Sequence, residues 1–254
     1  MRYWDPITSS IDWCEANYEV SEYIVEFWNT VTSFALVVVG VYGLWVLRSF
    51  ESRFVENLIA FFFIVVGVGS AAFHATLKYE YQLWDEIPMF WVISGAIYAY
   101  MVLFDYWWEK RIYLQWFFII YNIVWYFVHS SNAFTVFFQA NFFVLNTVMI
   151  VLMFYFHQKY KTKSSTMMIS LYIFAILSAF SLWLVDKLMC EHVSQLPVNP
   201  QFHGWWHVLV ASSAHYSLMF ELVIRHTIQQ NRMLEIAGGL LKYPINNSED
   251  LHSQ

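Results

Sequence analysis

Residues 112–157 read IYLQWFFIIYNIVWYFVHSSNAFTVFFQANFFVLNTVMIVLMFYFH, an apolar run interrupted only by His129-Ser130-Ser131-Asn132. A single helix of that length would extend about 69 Å, more than twice the roughly 30 Å hydrocarbon core of a bilayer. Two helices joined by a tight turn fit instead. Counting outward from this pair, the sequence predicts spans at 29–47, 55–74, 86–104, 112–129, 134–157, 166–188 and 203–224. The expected architecture is an all-α, polytopic seven-transmembrane bundle over 29–224, with an N-terminal segment at 1–28 and a tail at 225–254.

The composition agrees with a membrane protein. The chain has 254 residues, is 59% hydrophobic and only 13% charged, too little polar surface for a soluble domain of this size. Glycine and proline are scarce, which argues against disorder and against a β-barrel. The first 27 residues are acidic and lack a basic start followed by an apolar run, so no cleavable signal peptide is expected. With seven spans, one side of the membrane carries Arg2, Lys78 and Lys187. The other carries Arg48, Arg53, Lys110, Arg111, Lys159, Lys161, Lys163, Arg225, Arg232 and Lys242. The positive-inside rule then predicts a luminal N-terminus and a cytosolic C-terminus. The Asn246-Asn247-Ser248 sequon would lie on the cytosolic side and stay unmodified. No nucleic-acid partner is expected.

On this topology the polar residues that are costly in a membrane collect at the luminal ends of spans. Such groups are rare and mark function. GVGSAAFHATLKYE ends the second span with His74, YQLWDEIPMF opens the third with Asp85 and Glu86, and QFHGWWHVLV opens the seventh with His203 and His207. The i, i+4 spacing puts His203 and His207 on one helical face, the way one helix offers two imidazoles to a metal. His74 would supply a third. Three nitrogens leave a position for solvent, as in a catalytic site, and imidazole suits Zn2+. The alternative is a set of hydrogen-bonded core histidines; His129, His157, His192, His215 and His226 are assigned to packing or the interface. Ser70 lies one turn before His74, although Gly67, Gly69, Ala71 and Ala72 around it also read as a packing face. Asp85 is either a carboxylate that orients an imidazole or a general base.

The N-terminal segment holds Asp5, Asp12, Glu15, Glu19, Glu22 and Glu26. Closely spaced oxygen ligands suit Ca2+, and a solvated acidic face explains them equally well. Cys14 and Cys190 both face the oxidising side, where a disulfide between them or two unrelated thiols are possible.

Three blocks, IDWCEANY with EFWNT, GSAAFHATLKYEYQLWDEIPM and QFHGWWH, resemble the alkaline ceramidase family, the second most similar to its phytoceramide-preferring branch. The resemblance implies a zinc amidase of the endoplasmic reticulum or Golgi, stimulated by calcium, that splits the lipid ceramide into a sphingoid base and a fatty acid. It assigns zinc to His74, His203 and His207, and the catalytic shell to Ser70 and Asp85. Calcium falls to Asp12, the Trp13 carbonyl, Glu15, Asn17 and Glu26, which leaves out Glu19 and Glu22. It also supports the Cys14–Cys190 pairing. Rival readings are a seven-span receptor, for which the related adiponectin-receptor group offers a three-histidine zinc site in reverse topology, and a transporter. The chain has neither the large cytosolic loops expected of a G-protein-coupled receptor nor the internal repeats of a transporter.

Overall fold

A computed structural model describes residues 2–50, 53–131, 135–230, 236–237 and 240–241. Asn132, Arg232, Lys242, the Asn246-Asn247-Ser248 sequon and most of the predicted tail lie outside the described residues. Among the described residues there are seven long helices: α1 (Phe27–Leu47), α2 (Phe54–Thr76), α3 (Tyr79–Met101), α5 (Arg111–Ser130), α6 (Thr135–Lys159), α7 (Lys163–Leu188) and α9 (Phe202–Gln230). Two short helices intervene, α4 (Asp105–Glu109) and α8 (Cys190–Val193). The run 112–157 is divided between α5 and α6. Strand pairing among the described residues is confined to Ile236–Ala237 against Leu240–Leu241, beyond the helices, which leaves the all-α expectation in place.

Six of these helices are long and apolar enough to cross a membrane, which makes this a polytopic helical membrane protein. The six do not include α3, which carries Glu80, Asp85, Glu86 and Pro88. It also begins earlier than predicted, at Tyr79 rather than near 86, so Asp85 and Glu86 sit inside a helix rather than at its mouth. Outward-facing Tyr113, Phe127 and Phe174 remain exposed, as suits side chains that meet lipid rather than water.

The helices around the histidines are the most closely packed. α2 lies between α1 and α3, and α9 lies against both α1 and α7. At Gly69 a Cβ would fall 2.3 Å from the Trp84 carbonyl oxygen and 3.0 Å from the Asp85 nitrogen. Only a residue without a side chain lets α3 come this close. The N-terminal segment is strapped across the ends of α2 and α3. Val25 and Glu26 donate their amides to the carbonyls of Ala75 and His74, each at 3.0 Å, and Ser9 donates to Leu77 at 3.0 Å. Leu77, in the left-handed region at φ 47°, ends α2 and turns the chain into α3.

Candidate metal centre and its cavity

His74 occupies the last turn of α2, and His203 and His207 the first two turns of α9. All three side chains are buried. Their ring centroids lie 4.7–5.1 Å apart, and one ring nitrogen from each falls within 4.8 Å of the others. Among the described residues no other group of three His, Cys, Asp or Glu side chains meets this spacing.

Each ring is fixed from behind. His74 Nδ1 is 2.5 Å from Glu26 Oε2, and His207 Nδ1 is 2.9 Å from Thr32 Oγ. His203 stacks on the Trp13 indole, with centroids 3.7 Å apart. The groups left over are informative: His74 Nε2 and His203 Nδ1 are buried without a hydrogen-bond partner. A buried polar atom left unsatisfied costs about 1–3 kcal/mol. Three clustered imidazoles, two of them presenting such nitrogens, fit a cation that favours nitrogen donors.

Ser70 and Asp85 stand beside this cluster. The Ser70 hydroxyl lies 2.9 Å from Ser33 Oγ, and Asp85 packs across the seam on α3, its amide beside Gly69. With His203 and His207 they line one end of a cavity of about 230 Å³ whose walls beyond them are largely apolar, among them Phe63, Met89 and Ile150. The carboxylate that orients an imidazole is Glu26, at His74. The small-residue face also exists, because Gly69 packs against α3.

The acidic segment forms a second cluster. Glu15 accepts the amides of Trp28 (2.7 Å) and Asn29 (2.9 Å), at the positively polarised start of α1. Glu26 accepts the Trp13 amide at 3.0 Å, and Asn17 donates to both Asp12 oxygens, at 3.3 and 3.1 Å. Burial and the neighbouring Glu26 push Asp12 up to about 6. Burial pushes Glu26 to about 7 and also raises Glu15. Carboxyl groups in this state favour a cation or a proton. Glu19 and Glu22 lie exposed and apart from them.

Cys14 and Cys190 are joined by a disulfide, with Cα atoms 5.2 Å apart, which ties the strap to α8. Two contributors are absent from the sequence reading. Asp186, buried at the end of α7, accepts the Cys14 amide at 3.1 Å and the His203 amide at 3.3 Å. Its one local signal is an acid within the apolar run LWLVDKL. His129, assigned to packing, pairs with Glu86 at 2.5 Å on the cavity side of α3.

The fold and site together define a polytopic membrane protein with a metal-competent histidine centre that opens onto an apolar cavity. The family model described as Ceramidase matches residues 5–245. The chain belongs to the ceramidase family. It is 30% identical to the alkaline ceramidase of Arabidopsis thaliana over 225 residues, 88% of this chain and 86% of that protein. Alkaline ceramidase 3 of Mus musculus is 30% identical over 234 residues, with the same two coverages. Alkaline ceramidase YPC1 of Saccharomyces cerevisiae reaches 46%, over 92 residues that cover 35% of this chain and 28% of that one.

Proposed function

We propose that this protein hydrolyses ceramide within the membrane, adding water across the amide C–N bond to give a fatty acid and a sphingoid base. The observation that carries the reading is the histidine cluster, with its unpartnered nitrogens, at the end of an apolar cavity. A soluble amidase has no need to keep its centre beside such a cavity. A lipid amidase does, because its scissile bond travels with two long chains.

His74, His203 and His207 would hold zinc, which as a Lewis acid polarises an amide carbonyl and acidifies water. Asp85 takes the proton of the attacking water on its carboxylate and delivers it to the departing amine. Ser70 stands across the seam from Asp85 and offers its hydroxyl to the developing oxyanion. Glu26 keeps the Nδ1 side of His74 engaged, which leaves Nε2 for the metal. Thr32 does the same for His207.

Calcium would be held by Asp12, the Trp13 carbonyl, Glu15, Asn17 and Glu26. The reading is supported by burial and by the charge of the buried Glu26, which raise both Asp12 and Glu15. Two residues of that set also touch the histidines: Glu26 bonds His74 and the Trp13 ring stacks on His203. Calcium stimulation would act through these contacts, by ordering the strap that supports the ligands. We further assign seven spans, α3 included, with the N-terminal segment, the disulfide and the active site facing the lumen of the endoplasmic reticulum or Golgi. The 29–224 bundle is then the catalytic domain, and the tail is cytosolic.

The test compares purified wild-type and His207→Ala proteins for metal content and for fatty acid released from ceramide. Wild type should bind one zinc and turn over, and the variant should do neither. Wild-type turnover by metal-free His207→Ala protein would remove the assignment.

A further inference from the structure

The far end of the cavity is polar, and the reaction does not need it to be. Glu56 and Glu221 line the cavity there with Tyr100, Tyr172 and Ser217. Glu221 is held by Arg53, which also bonds Glu56 at 2.8 Å, and Arg225 donates to Glu56 at 3.1 Å. This network locks α2 to α9. Tyr100 donates to the Ser217 carbonyl at 2.9 Å, and Tyr100, Tyr172 and Glu221 line the same cavity. Two atoms remain over. The Tyr172 hydroxyl and Glu221 Oε2 are buried without a hydrogen-bond partner, on side chains 1% and 3% exposed.

The distance matters as much as the polarity. Glu221 lies fourteen residues beyond His207 on the same helix, about 21 Å along its axis. A single leaflet offers about 15 Å, half of a hydrocarbon core of roughly 30 Å. A lipid whose amide sits at the histidines meets this floor only if one chain is longer than a leaflet is deep. Water or a hydroxyl can satisfy Tyr172 and Glu221, whereas a methyl terminus cannot. A chain pressed against the floor would leave both groups desolvated and unpaired.

We propose that Tyr172 and Glu221 form a polar floor that sets the upper limit of chain length, rejecting a long apolar terminus and admitting one that carries a hydroxyl. The inference rests on the ceramidase reading and adds a specificity determinant to it.

Tyr172→Phe tests the floor, since it removes one unpartnered hydroxyl and leaves the Arg53–Glu56–Glu221–Arg225 network intact. Wild-type and variant enzymes are given two ceramide series, one varying the acyl chain and one the sphingoid base, each extended by members with a terminal hydroxyl. The variant should gain about fivefold or more in kcat/KM on the longest apolar members of one series and stay unchanged on short ones. The series that responds identifies the chain that reaches the floor. The preference for hydroxyl-ended chains should shrink in the variant. Superimposable profiles for the two proteins would overturn the proposal.

The same comparison is made without turnover, as the melting-temperature shift that non-cleavable analogues of each length induce in nanodiscs. A wild-type protein that hydrolyses nothing defeats the ceramidase reading, while the binding series still decides the floor. Binding that does not depend on length in either protein counts against it.

Discussion

Replacing Gly69 by alanine tests whether the α2–α3 seam is part of the catalytic geometry. The added Cβ would lie 2.3 Å from the Trp84 oxygen, 2.6 Å from its carbonyl carbon and 3.0 Å from the Asp85 nitrogen. All three are backbone atoms, so no rotamer change relieves the clash. Ordinary contact begins at 3.4 Å, and 3.4 minus 2.3 leaves the helices to part by about 1 Å. That movement falls between Ser70, the next residue on α2, and Asp85 on α3. A misplacement of about 1 Å at a reacting group costs on the order of 100-fold in rate. Overpacking of this kind also costs about 1–3 kcal/mol of stability. The histidines are contributed by α2 and α9, so the metal should remain. Gly204→Ala is the control. It neighbours His203, yet its Cβ would meet nothing closer than 3.4 Å, and alanine is the better helix former by about 1 kcal/mol. The assay measures kcat on ceramide per bound zinc, together with melting temperature. Gly69→Ala should lose about 100-fold in kcat at full zinc occupancy, and Gly204→Ala should match wild type. A Gly69→Ala enzyme with wild-type kcat would refute the argument that this seam positions Asp85.

Three further outcomes are expected. Glu26→Gln, measured without calcium, should weaken zinc binding about 10–100-fold in competition with a chelator, because the carboxylate behind His74 is lost; unchanged affinity would separate Glu26 from the metal centre. Calcium stimulation should be full above about pH 8 and fade as pH falls through about 7 and then about 6, where first Glu26 and then Asp12 takes up a proton and ceases to be an anionic ligand; stimulation that is constant from pH 5 to 8 would contradict the assignment. Cys14→Ser should expose the strap to proteases and raise the calcium concentration needed for stimulation, since the bond joins residues 176 apart and such closures contribute up to about 4 kcal/mol; wild-type protease resistance would make the disulfide redundant with the strap's hydrogen bonds.

What the sequence determined by itself is what short-range chemistry encodes. Apolar runs give helices long enough for a bilayer, and the break at His129-Ser130-Ser131-Asn132 separates α5 from α6. The i, i+4 pair His203 and His207 falls on one face because a helix repeats every 3.6 residues. The start of α3 was less legible: the predicted span begins near 86, and α3 begins at Tyr79, where the strap meets it through the Tyr79 amide on Thr8 Oγ1 and the Ser10 amide on Gln82. Only the tertiary structure decided which carboxylate does what. Glu26 is one acid among several in a segment without periodicity, and reaches His74 because the strap crosses the end of α2. Asp186 reads as an ordinary helix end until the amides of Cys14 and His203 are seen to converge on it. Tyr172 and Glu221 are separated by 49 positions, and they share a cavity floor only through the packing of α7 against α9. Hydropathy and helical spacing are properties of neighbours along the chain. Hydrogen bonds between distant residues depend on loop closure, and no local pattern records them.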